Sequence, residues 1–81
     1  MKTIKYFSAT WCGPCKTFKP IMNEVAGEGH SVQFIDIDQQ QDLTAKYNVR
    51  SVPTTVIEEN GIGVDRFIGS VSKHQVLGKL V

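Results

Sequence analysis

With 81 residues, 41% of them hydrophobic and 21% charged, and a formal net charge of +1, the chain has the composition of one small globular domain spanning residues 1–81. So even a balance offers no field to nucleic acid or an anionic membrane surface, and no cluster of Lys and Arg appears. No apolar run approaches the roughly 20 residues that a membrane span needs, and the opening MKTIKYFSATW lacks the core and cleavage pattern of a secretory signal, so a cytoplasmic protein is expected.

Residues Thr3–Phe7 are short, β-branched and aromatic, and read as a strand. From Pro14 to about Ala26 the apolar residues Phe18, Ile21, Met22, Val25 and Ala26 recur at helical spacing, which predicts one buried face. Pro20 inside that run predicts a kink, and Gly27 and Gly29 close it. Val32–Ile37 reads as a second strand, mostly buried. Asp42 is placed to cap a short helix reaching Tyr47, with Leu43 and Tyr47 on one face. Pro53–Glu59, Asn60-Gly61 and Ile62–Ile68 form the strongest hairpin signal in the chain. Ser72 and Gln75 make a capping box that opens a last helix with Val76, Leu77, Leu80 and Val81 as its apolar residues. The order β-α-β-α-β-β-α predicts an α/β domain: a four-stranded mixed sheet flanked by three helices, with the first two strands parallel.

Cys12 and Cys15 are the only cysteines, and they fall where the first strand joins the first helix. A staple across so short a loop removes little entropy from the unfolded chain, and lasting structural disulfides are rare in a reducing cytoplasm. Zinc needs four ligands at a structural site; only His30 and His74 remain, without a second half-site spacing. Copper(I), satisfied by two thiolates, survives ligand counting but suits poorly a link stiffened by Pro14. An exchanging dithiol suits the placement better. Pro14 fits the first helical turn, where a missing N–H costs nothing. Cys12 then sits at the helix N-terminus, where free N–H groups and the dipole favour a thiolate. Cys15 lies one turn on, within disulfide reach and less exposed. Cys12 is thus the expected nucleophile towards a target disulfide, and Cys15 the thiol that resolves the mixed disulfide.

With Trp11-Cys12-Gly13-Pro14-Cys15-Lys16 on that join and Ser51-Val52-Pro53-Thr54 ahead of the hairpin, the chain resembles the thioredoxin family. The likeness runs over nearly the whole length, through Asp36-Ile37-Asp38, Lys46-Tyr47-Asn48-Val49-Arg50, Asn60-Gly61 and Ile68-Gly69. The resemblance implies that Gly13 and Pro14 belong to the redox motif and that Pro53 is cis beside the disulfide. It also implies that the backbone of Val52 pairs with an extended substrate segment, and that Trp11 and Gly69 border the docking surface. Further implications are protein disulfides as substrates, a thioredoxin reductase as electron donor, ribonucleotide reductase as a possible target and no cofactor beyond the Cys12–Cys15 couple. A monomer is the default expectation, and the charge balance and short apolar runs already speak against nucleic acid and membrane as partners.

Two features depart from the family pattern. Most thioredoxins begin with a further strand and helix, and in build the chain is closer to glutaredoxins and to the short thioredoxins of phages and archaea. If its source is viral, the expected compartment is the host cytoplasm. The family also buries an acid six positions before the first cysteine, with a lysine near it on the adjacent strand. Tyr6 and Phe34 hold those places here. Tyr6, whose ordinary pKa is about 10, is no base near neutrality, so slower resolution by Cys15 is expected. Two other readings have definite signatures. A glutathione-linked, glutaredoxin-like enzyme would have a second glycine where Ser70 follows Gly69. A non-catalytic binding subunit would keep its full role after both cysteines were changed to serine.

Overall fold

A computed structural model describes residues 1–81. Its elements follow the expected order: β1 (Lys2–Ser8), α1 (Gly13–Gly27), β2 (Val32–Asp36), α2 (Gln41–Lys46), β3 (Thr54–Glu59), β4 (Ile62–Ile68) and α3 (Lys73–Gly78). The strands form one sheet in the order β2-β1-β3-β4. β1 runs parallel to β2 with Ile4 opposite Val32, and antiparallel to β3 with Ile4 opposite Ile57.

Strand alternation divides the core in two. Ile4, Tyr6 and Ile57 face Phe18, Met22 and Val25 of α1 and Val76 of α3. Phe7, Ile35 and Val56 face the other way, under Leu43, Tyr47 and Val49. The helix α1 runs through Pro20, which lies on the solvent side and leaves the Lys16 carbonyl without its helical N–H partner. At the hairpin tip Asn60 and Gly61 both have positive φ, 54° and 83°, the conformation that a two-residue turn of this type requires. Ser72 and Gln75 make the reciprocal capping box.

Several local expectations are corrected. Asp42 does not cap α2: it lies in the first turn, and Gln40 at the N-cap position makes no side-chain bond. A carboxylate there still meets the positive end of the helix dipole. The second strand is not mostly buried. Only Ile35 is, because β2 lies at the sheet edge, and Phe34 is 37% exposed. Pro53 precedes β3 rather than opening it, and Val81 lies past the end of α3, fully exposed.

One buried polar group stabilises the α2 side. Glu58 is 3% exposed; its Oε1 accepts from Lys5 Nζ at 2.7 Å and its Oε2 from the Tyr47 hydroxyl at 2.5 Å. Arg66 Nη2 also donates to the Tyr47 carbonyl at 2.6 Å. Burial pushes the Glu58 carboxyl up, but the bonds from Lys5 and Tyr47 outweigh it and hold the group below its ordinary value. A carboxyl lowered on folding stabilises the fold above its unfolded pKa, and that contribution is lost as pH falls through the folded one. Denaturant unfolding is therefore expected to show stability declining as pH drops below about 4.5, with part of that decline absent in Glu58→Gln.

Candidate functional site

The end of β1 delivers Ala9 and Thr10 to a turn in which Cys12 N–H donates to the Ala9 carbonyl at 3.2 Å. Cys12 is the N-cap of α1, with extended backbone, and its Sγ accepts from Cys15 N–H at 3.2 Å. The sulfur thus occupies the place where a capping oxygen usually sits, against the helix's unpaired N–H groups. Cys12 and Cys15 are joined by a disulfide with their Cα atoms 5.3 Å apart. Their exposures, 4% and 3%, correct the expectation that exposure separates an outer from an inner thiol. What distinguishes them in this oxidised form is the N–H bond to Cys12.

Ala9, Cys12 and Cys15 form a small apolar cluster against which Ile37 and Val52 pack. The Val52–Pro53 bond is cis, and neither backbone group of Val52 has a backbone partner. Gly69, at φ 91°, donates its N–H to the Pro53 carbonyl at 2.8 Å, which fixes the end of the hairpin beside the Pro53 turn. Trp11 is 65% exposed and so is no core residue. Its Nε1 donates to Asp38 Oδ2 at 2.8 Å, and that bond fixes the indole on the surface next to the disulfide. A side chain at Gly13 would meet nothing within 4 Å, so sterics alone do not require glycine in the motif. No group of three or more His, Cys, Asp or Glu stands where it could hold a metal ion.

Tyr6 is fully buried beneath this turn, edge-on to Phe18 and Phe34, and its hydroxyl donates to the Cys15 carbonyl oxygen at 3.3 Å. Burial pushes the phenol up to about 12, so it stays neutral across the working range and its proton is directed at backbone rather than sulfur. Tyr6→Phe is expected to cost about 0.5–1.5 kcal/mol of stability and to leave the pH profile of disulfide exchange unchanged around neutrality. A shifted profile, measured by stopped-flow exchange, would mean that Tyr6 takes part in proton transfer.

Sequence reasoning did not find the partner of Trp11. Asp38 stood within the recognised Asp36-Ile37-Asp38 stretch, but no local spacing links it to a tryptophan 27 residues away. Nor was the environment of Cys15 legible. That cysteine lines an open cleft of about 380 Å³ between α1 and the edge strand β2.

A family model for thioredoxin matches residues 2–81. The chain belongs to the thioredoxin family. It is 36% identical to the thioredoxin of Mycoplasmoides gallisepticum over 77 residues, 93% of this chain and 77% of that protein. With the thioredoxin of Mycoplasma genitalium the identity is 40% over 73 residues, 88% and 72% of the two chains. Among solved structures, Fasciola hepatica thioredoxin superposes with a TM-score of 0.89 at 32% identity, covering 98% of this chain and 77% of that one. A thioredoxin variant from Halobacterium salinarum gives 0.88 at 33%, covering 99% and 71%. Membership of the family together with the Cys12–Cys15 disulfide makes the chain a dithiol–disulfide oxidoreductase, and its substrates are disulfide-containing proteins. No helix is long and apolar enough to cross a membrane.

Proposed function

We propose that Cys12 is the attacking sulfur and Cys15 the resolving one. The carrying observation is the Cys15 N–H bond to Cys12 Sγ at the start of α1. In the reduced protein the same N–H and helix end favour negative charge on Cys12. Its thiolate attacks a target disulfide, one target sulfur leaves as thiolate, and a mixed disulfide forms. Cys15, as thiolate, then attacks Cys12 Sγ, closes the Cys12–Cys15 bond and expels the second target sulfur. Two electrons pass to the target, and no bound cofactor is needed.

Substrate docks as an extended segment against Val52. The unpaired backbone groups of that residue support strand-like pairing, and Pro53 removes a competing donor from the turn. Exposed Trp11 and the left-handed turn at Gly69 border the docked segment, while Pro14 fixes the first turn of α1. A thioredoxin reductase regenerates the dithiol, ribonucleotide reductase is a candidate target, and the protein works as a cytoplasmic monomer.

Limited alkylation of the reduced protein with iodoacetamide, followed by peptide mass spectrometry, tests the assignment. Modification of Cys12 ahead of Cys15 is expected; the reverse order would exchange their roles.

A further inference from the structure

The resolving step requires Cys15 to lose a proton, and Tyr6 cannot take it. The cleft between α1 and β2 is lined by Cys15, Lys16 and Lys19 on one side and by Ser8, Phe34 and Asp36 on the other. Asp36 is half-buried at the end of β2, opposite Ser8 of β1. Its Oδ1 is engaged, accepting from Asp38 N–H at 2.8 Å and from Gln39 N–H at 3.3 Å, while Oδ2 has no protein partner. The chain's three ion pairs lie elsewhere, at Lys5–Glu58, Lys73–Glu28 and Lys79–Asp65.

Other ionisable groups around Cys15 are unsuited to accept its proton. Lys16 and Lys19 from α1 are cations, Tyr6 from β1 is neutral and bonded to a carbonyl, and Asp38 across the turn is committed to Trp11. Thr54 and Thr55 of β3, at the same end of the sheet, do not ionise near neutrality. A cleft of this volume admits several waters.

We infer that Asp36 accepts the Cys15 proton through water in the α1–β2 cleft, with Lys16 and Lys19 favouring the thiolate that remains. The inference rests on the assignment of Cys15 as the resolving thiol. The step balances. The proton passes from Cys15 Sγ to cleft water and on to Asp36, and the Cys15 thiolate displaces the target thiolate from Cys12 Sγ. The protonated carboxyl then returns its proton to solvent. Phe34, partly exposed, also lines the cleft.

The test is a stopped-flow reaction of the reduced protein with Ellman's disulfide, which releases one thionitrobenzoate on attack by Cys12 and a second on resolution by Cys15. Asp36→Asn keeps an Oδ1 acceptor for the Asp38 and Gln39 amides while removing the carboxylate. The second release is expected to slow on the order of tenfold near neutrality, the modest effect of a base acting through water, with the first release unaltered. The two proteins should converge at high pH, where the Cys15 thiol ionises unaided, and added formate should partly restore the variant. Equal second-phase rates at every pH, or a uniform slowing that formate does not relieve, would overturn the role of Asp36. Failure of Cys15→Ser to stop after the first release would instead overturn the cysteine assignment on which the inference rests.

Discussion

Replacing Cys15 by serine is expected to convert the protein from a turnover catalyst into a covalent trap. Cys12, still capping α1 and still receiving the N–H of residue 15, attacks a target disulfide as before. The mixed disulfide then has no intramolecular thiol to resolve it. In the native protein that thiol is held one helical turn away, with Cα atoms 5.3 Å apart, and its effective concentration far exceeds that of any thiol in solution. Non-reducing electrophoresis after incubation with a disulfide-bonded protein should show a 1:1 adduct that dissolves on adding dithiothreitol. Cys12→Ser should form no adduct and lose essentially all turnover, because a hydroxyl at this position is neither ionised nor a sulfur nucleophile. An adduct from Cys12→Ser but not from Cys15→Ser would reverse the assignment.

The largest expected effect on stability belongs to Phe18→Ala. Phe18 is fully buried on the inner face of α1 and packs edge-on against Tyr6, ring centroids 5.7 Å apart. Truncating a buried phenylalanine costs about 3–5 kcal/mol in lost transfer energy and residual cavity. A domain of this size is stable by roughly 4–12 kcal/mol in all, so the variant should be close to unfolding at 37 °C, a common assay temperature. Calorimetry should find Tm lowered by roughly 15–30 °C, and a loss below about 1 kcal/mol would contradict the core described above. Because Tyr6 also donates to the Cys15 carbonyl, loosening this contact should disturb the redox site too, although residue 18 touches no sulfur chemistry.

Much of this architecture could be read from residue order. The period of Phe18, Met22 and Val25, the Asn60-Gly61 turn and the Ser72/Gln75 box are local signals, each decided by neighbours within a few positions. The redox pair was legible for the same reason, since a strand-to-helix join and a helical turn fix where two sulfurs three residues apart must lie. The resemblance supplied the cis bond at Pro53, which the residues alone would not suggest. Less legible was whatever depends on strands distant in sequence. The position of β2 at the sheet edge, which exposes Phe34, follows from an order set by β1 and β3. The Lys5–Glu58–Tyr47 network joins residues 53 and 11 positions apart. Its one sequence signal was a charge at an inward strand position, Glu58 sharing a face with Val56. The cleft at Cys15 is a gap between α1 and that edge strand, and no motif marks a gap.

Because the buried carboxyl group that the network holds lies on the α2 side of the sheet, it contributes to the fold without touching the cysteines. The disulfide is instead flanked by a neutral phenol and an open cleft. The measurement that bears most directly on this account is the midpoint potential of the Cys12/Cys15 couple, by thiol trapping in defined redox buffers. A reversible two-electron couple near about −270 mV is expected, a value that belongs to thioredoxin generally rather than to this geometry. A couple near about −180 mV or above, the range of disulfide isomerases and oxidases, or no reversible couple at all, would contradict the assignment of this chain as a protein-disulfide reductant.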